Sequence, residues 1–161
     1  MKKILLSLAL VICIDLANSQ TLQELSDLRI VGNIDQADKF LTPFGFEYKK
    51  SVNTEQDNKI FSITTFVREG DYSKAAVITF SKEKVDEYRL FRVQYVTHSI
   101  KVFDDLKSQC ELIQNCVLKN EKVENDGAYR RYFSDGTRTF IFTISQPSEN
   151  GELPMYMVLI I

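Results

Sequence analysis

VFDDLKSQCELIQNCVLKNEKVE, residues 102–124, holds a helix, its terminator and the start of a strand. Val102, Phe103, Leu106, Cys110 and Ile113 recur at helical spacing, so the pattern predicts a helix over residues 102–114 with one apolar stripe. Asp104 and Asp105 then fall near its start, where carboxylates suit the helix dipole. Asn115 is placed to stop the helix, because Asn tolerates the left-handed conformation of a helix terminator. Residues 117–124 read as the strand that follows.

The same order stands earlier in the chain. Ile34, Ala37, Phe40 and Leu41 form one helical face, with Asp35 as a candidate N-cap and Pro43 and Gly45 as the stop. β-branched and aromatic stretches over residues 46–52, 60–68, 75–81 and 88–98 read as strands. Residues 54–58, 69–73 and 83–87 are polar connectors between them. After the second helix come strands over residues 117–124, 128–134, 138–145 and 155–161. Asp126-Gly127 and Asp135-Gly136 are hairpin turns by composition, and Asn150-Gly151 marks the last connector. A short helix over residues 21–28 is a further candidate at the front.

This pattern predicts an α+β fold. The expected form is a two-layer sandwich: a mostly antiparallel sheet of about eight strands with two helices on one face. It reads as a doubled helix-plus-four-strands unit, with halves at roughly residues 33–98 and 101–161. The layout is similar in architecture to the β-lactamase-inhibitor-like and TATA-binding-protein-like folds. No residue motif carries that likeness, and fold alone does not carry function.

The first residues bear on location. Met1-Lys2-Lys3 is a positive start, residues 4–14 are an apolar run broken by Ser7, and Ala17-Asn18-Ser19 supplies small residues at −3 and −1. Residues 1–19 therefore read as a cleavable signal peptide, with Gln20 opening a single mature domain, residues 20–161. The run is shorter than the roughly 20 apolar residues a membrane helix needs. Cys13 lacks a small residue before it, which argues against lipid attachment. The expected location is periplasmic or secreted, with no membrane span in the mature chain.

Export changes the reading of Cys110 and Cys116, since paired cysteines outside the cytoplasm tend to be oxidised. In an unbroken helix, six residues separate them by about 9 Å along the axis, beyond the roughly 7 Å between Cα atoms that a disulfide tolerates. With Asn115 at C′, however, Cys116 becomes C″ and Cys110 C4, positions that a terminated helix brings together. Gly45 sets Phe46 and Phe40 in the same relation. A structural disulfide is expected. A redox pair would sit at a helix N-terminus, and this one sits at a C-terminus.

Motifs for chemistry are sparse. His98 is the single histidine, at a strand end, with no nucleophile elbow near it. One His and two bridged Cys make no zinc set, and no calcium or phosphate loop is present, so no cofactor or metal is expected. Without its leader the chain carries 18 basic and 21 acidic residues, a balance that gives no case for nucleic acid.

What remains is the uncovered sheet face. Arg92 and Gln94 alternate with Phe91, Val93 and Tyr95, and Arg130 and Tyr132 alternate with Tyr129, Arg131 and Phe133. Which side of residues 128–134 faces inward is open at this point. Arg92, Gln94, Arg130 and Tyr132 form the candidate partner face, because Tyr and Arg suit interaction surfaces. The leading expectation is an exported, non-enzymatic binding module whose partner is another envelope or secreted protein, or itself. An inhibitor or immunity-type protein is one form of it. The alternatives are a small secreted hydrolase using a carboxylate pair, and a structural homodimer paired through the sheet face or through residues 155–161 as an edge.

Overall fold

The computed structural model describes residues 21–31, 34–56, 59–68, 76–85, 88–147 and 153–161. The leader (residues 1–19), the connector at residues 69–73 and Asn150-Gly151 lie outside them. The fold is α+β. Its described elements are helices α1 (Leu22–Val31), α2 (Ile34–Leu41) and α3 (Ile100–Leu112), with strands β1 (Glu47–Gln56), β2 (Lys59–Arg68), β3 (Ala76–Val85), β4 (Tyr88–Thr97), β5 (Val117–Val123), β6 (Tyr129–Ser134), β7 (Thr139–Ser145) and β8 (Met155–Ile160). The strands pair in the order β1-β2-β3-β4-β8-β7-β6-β5, every neighbour antiparallel. None of the described helices is long and apolar enough to cross a membrane.

Three α-helices stand among the described residues: the two expected over the sheet and the short front candidate at residues 21–28, here Leu22–Val31. This front helix, α1, opens on a capping box: Glu24 N–H donates to Thr21 Oγ1 at 3.2 Å, and Thr21 N–H donates to Glu24 Oε2 at 2.7 Å. Leu22, Leu25 and Leu28, at i, i+3 and i+6, are all fully buried. Leu22 N–H also donates to Gln109 Oε1 of α3 at 2.8 Å, tying the two helices together.

The terminators settle differently in the two halves. After α2 a short 3₁₀ turn, Thr42–Phe44, leads to Gly45 at φ 77°. Gly45 N–H donates to Thr42 O and Phe46 N–H to Leu41 O, the paired bonds of a Schellman end. Asn115 also takes positive φ, 63°, but α3 has already stopped at Leu112. Ile113 is extended there, and Cys116 N–H donates back to Ile113 O at 3.0 Å. A tight turn with Asn at the positive-φ corner replaces the expected Schellman end. The start of α3 also shifts. Ser99 is its N-cap, accepting from Val102 N–H, so Asp104 and Asp105 lie in the second turn and not at the helix start. Asp35, expected before α2, lies inside its first turn.

The core lies between the helices and one face of the sheet. α1 and α3 pack against β4 and β8, and α2 against β1. Val93 and Tyr95 of β4, Val158 and Ile160 of β8, and Phe140 and Phe142 of β7 are buried beneath them. Leu25→Ala should lower stability by about 2–5 kcal/mol, because it empties a filled core position. Ile30→Ala, on a residue 82% exposed in the same helix, should change it by less than about 0.5 kcal/mol. Urea denaturation monitored by circular dichroism reads both. Equal effects would place α1 outside the core.

Candidate functional site

Side chains alternate across a strand, and cross-strand partners share a face. Val93, Tyr95 and Thr97 are buried toward the helices, so Arg92, Gln94 and Val96 lie on the opposite face. The register carries that face across the sheet. One row runs Gln94, Leu159, Ile141, Tyr132 and Asn120, and the next runs Val96, Met157, Thr143, Arg130 and Lys122. Buried Phe133 sends Tyr129 and Arg131 to the helix side. All four candidate residues thus occupy one face, resolving the orientation that alternation left open.

They do not form one cluster. Gln94 and Tyr132 are three strands apart, about 14 Å at the usual strand spacing. Between them lie half-buried Leu159 and Ile141, with Met157 in the adjoining row. The face therefore has Leu159, Ile141 and Met157 at its centre beside the buried Thr143, with a polar pair on each side.

The β6 pair is held by acids from the β5–β6 turn. Arg130 makes a two-pronged contact with Asp126, one prong of 3.1 Å. Tyr132 Oη donates to Glu124, which also takes an ion pair from Lys122 at 3.0 Å. The hydrogen bond from Tyr132, then that from Lys122, holds the Glu124 carboxyl below its ordinary range. The Arg130 guanidinium, then the Ala128 amide, does the same for Asp126. The same bond to Glu124, then burial, raises the Tyr132 phenol. These side chains hold one another in place.

Cys110 is buried and Cys116 half-buried, with their sulfurs non-bonded at 3.4 Å. Burial, then the neighbouring Cys116 thiol, pushes the Cys110 thiol well above its ordinary range. That is the opposite of what a redox-active thiolate requires. His98 lies just past the end of β4, with Nδ1 3.1 Å from Pro154 O.

A general-acid carboxyl needs a raised pKa, yet the shifts resolved at Glu124, Asp126 and Asp135 are all downward. Among the described residues, no three His, Cys, Asp or Glu gather as a metal set. Asp135 shows what lowers its pKa. Its side chain is only 6% exposed, and that burial alone would raise it. The amides of Thr137 and Arg138, the Arg138 guanidinium and the Thr137 hydroxyl outweigh burial. The aspartate of the β6–β7 hairpin works as an acceptor, while Gly136 takes the positive φ.

A depressed folded-state pKa stabilises the fold above the unfolded value of about 4 and loses that effect as pH falls through the folded value. Asp135→Ala should therefore cost about 1–3 kcal/mol near neutral pH, with the gap to wild type closing on acidification below pH of about 4. Urea midpoints across a pH series measure this. A gap that stays constant into strong acid would remove the carboxylate as its source. The chain matches no protein-family model, no curated protein and no solved structure.

Proposed function

We propose that the chain is an exported, non-enzymatic binding module of the cell envelope or secreted fraction, meeting another protein with the sheet face opposite its helices. Export rests on the leader at residues 1–19. The binding role rests on one observation: Leu159, Met157 and Ile141 at the centre of the face on β8 and β7, flanked by Arg92 and Gln94 on β4 and by the pair Arg130 and Tyr132 on β6. A desolvated centre with a polar margin is the usual anatomy of a protein interface.

The finer architecture belongs to the same proposal: a two-layer sandwich grown from a doubled helix-plus-four-strands unit. Two features support it. The strand order is the same read from either edge, with β1 and β5 outermost and β4 against β8. Each edge strand also breaks register at the fourth residue after its positive-φ residue, Lys49 after Gly45 and Lys119 after Asn115.

The Cys110–Cys116 disulfide completes the reading. The sulfurs need to approach by about 1.4 Å to reach bonding distance. Two thiols then lose two protons and two electrons to a disulfide oxidant of the export compartment. A loop this short gains about 2 kcal/mol in the chain-entropy model.

Two measurements test these claims. The intact mass of chain recovered from the exporting cell should match residues 20–161, two hydrogens lighter than after reduction; two titratable thiols in that material would refute the bridge. Used as bait in envelope and culture fluid, the mature chain should retain a protein that the Arg92→Ala, Gln94→Ala, Arg130→Ala, Tyr132→Ala combination loses, both forms having the same circular dichroism. Identical retention by the two, or none by a monomeric wild type, counts against the face.

A further inference from the structure

The helix-side face is not fully covered. Beyond β8, α3 leaves a cleft of about 210 Å³ against β7 and β6. Phe103, Phe142 and Ile144 give it an apolar floor, Tyr129 lines it from β6, and Asp104, Lys107 and Arg131 give it charge. The floor is pre-formed: the Phe103 ring meets the Phe142 ring edge-on at 5.6 Å, and Phe142 meets Phe133 likewise at 5.7 Å. We propose that this cleft is a binding site for a small monoanionic carboxylate with one aromatic ring. The site is on the opposite face from the protein-binding surface proposed above and stands independently of it.

Size sets the body of the ligand. A dry cavity of about 150 Å³ takes a benzene, and drug-sized sites begin at about 300 Å³. A volume near 210 Å³ suits one ring with a carboxylate attached.

Charge sets its head group. Arg131 is held through Nε, 3.0 Å from Tyr129 Oη and 3.1 Å from Glu121 Oε2, so its two terminal amino groups remain as donors. Among the described residues Lys107 has one ion-pair contact, at 4.0 Å to Asp104. In both pairs the cation is the more enclosed partner: Lys107 is 24% exposed against 56% for Asp104, and Arg131 34% against 48% for Glu121. An entering group therefore meets cationic donors over the aromatic floor, each paired with a more exposed carboxylate. The cleft's own lining holds two cations, Lys107 and Arg131, against one carboxylate, Asp104, a balance that suits a single negative charge, while Asp104 and Glu121, the partner of Arg131, would repel a dianion.

The test is a titration of the ¹⁵N-labelled mature chain with sodium benzoate, followed by amide shifts. Benzyl alcohol supplies the ring without the charge, acetate the charge without the ring, and benzylamine the opposite charge. Benzoate should shift Phe103, Lys107, Tyr129 and Arg131 saturably, and each control should bind at least about tenfold more weakly. Arg131→Gln should weaken benzoate about tenfold. Lys107→Gln, on the helix surface, should weaken it in the same direction, and Arg92→Ala on the other face should leave it unchanged. Absence of a saturable shift, an equal response to benzyl alcohol or benzylamine, or full affinity in both cation variants overturns the assignment.

Discussion

The last strand of the chain, β8, enters the middle of the sheet, and its register against β4 fixes where everything else lies. Val93 pairs with Ile160, Tyr95 with Val158 and Thr97 with Tyr156, all buried. A slip of one residue would turn Met155, Met157 and Leu159 inward and expose that set. The far side is locked as firmly: Ile161 and Thr139 exchange both backbone hydrogen bonds at 3.0 Å. Because α1 and α3 rest on β4 and β8, the seam that joins the two ends of the sheet also seats the helices. The interface idea that treated residues 155–161 as an edge has no place here, since β8 has a neighbour on each side.

The cleft follows from the same seating. Phe103 projects from α3 onto Tyr156 of β8 and Phe142 of β7, with ring centroids at 5.3 and 5.6 Å. One helix about 10–12 Å across covers only two or three strands spaced 4.7–4.9 Å apart. α3 makes its main contacts with β4 and β8, so on the helix side of β6 Tyr129 and Arg131 are left lining a cleft at the flank of α3. They are satisfied by each other and by Glu121 on β5. A shortfall of cover thus becomes a lined recess.

Much of this order was legible in the sequence, because strands with one buried face must alternate and tight turns need particular residues. Helix α2 ends before Pro43 and Gly45 as expected but starts ahead of Asp35, while strands β1 and β3 run several residues past their predicted spans, since pairing with β2 continues through polar residues that look like connectors. The capping box Thr21–Glu24 ahead of three spaced leucines was the available signal for α1's place in the core. Strand order was not legible, because it depends on long-range pairing. Without it, Arg92 and Gln94 could not be set relative to Arg130 and Tyr132, nor Tyr129 and Arg131 assigned to the helix side. The end of α3 misled because Asn115 adopts the positive φ its type suggests while hydrogen bonds alone decide which terminator results.

Where a protein partner would attach is constrained by the edges as much as by the face. Open edges invite strand addition, and proteins blunt them with lysines and bulges. Both outer strands here carry a lysine at the register break, Lys49 in β1 and Lys119 in β5. All of β5 is exposed, and Lys122 within it is bound to Glu124. An incoming strand would have to match a broken ladder. The face has no such break: its rows are regular across β4, β8, β7 and β6, and its β6 side chains are held by acids from the β5–β6 turn. Recognition through side chains on the face would therefore leave the backbone ladder as it is, whereas recognition through the backbone at an edge would meet a register break on either side.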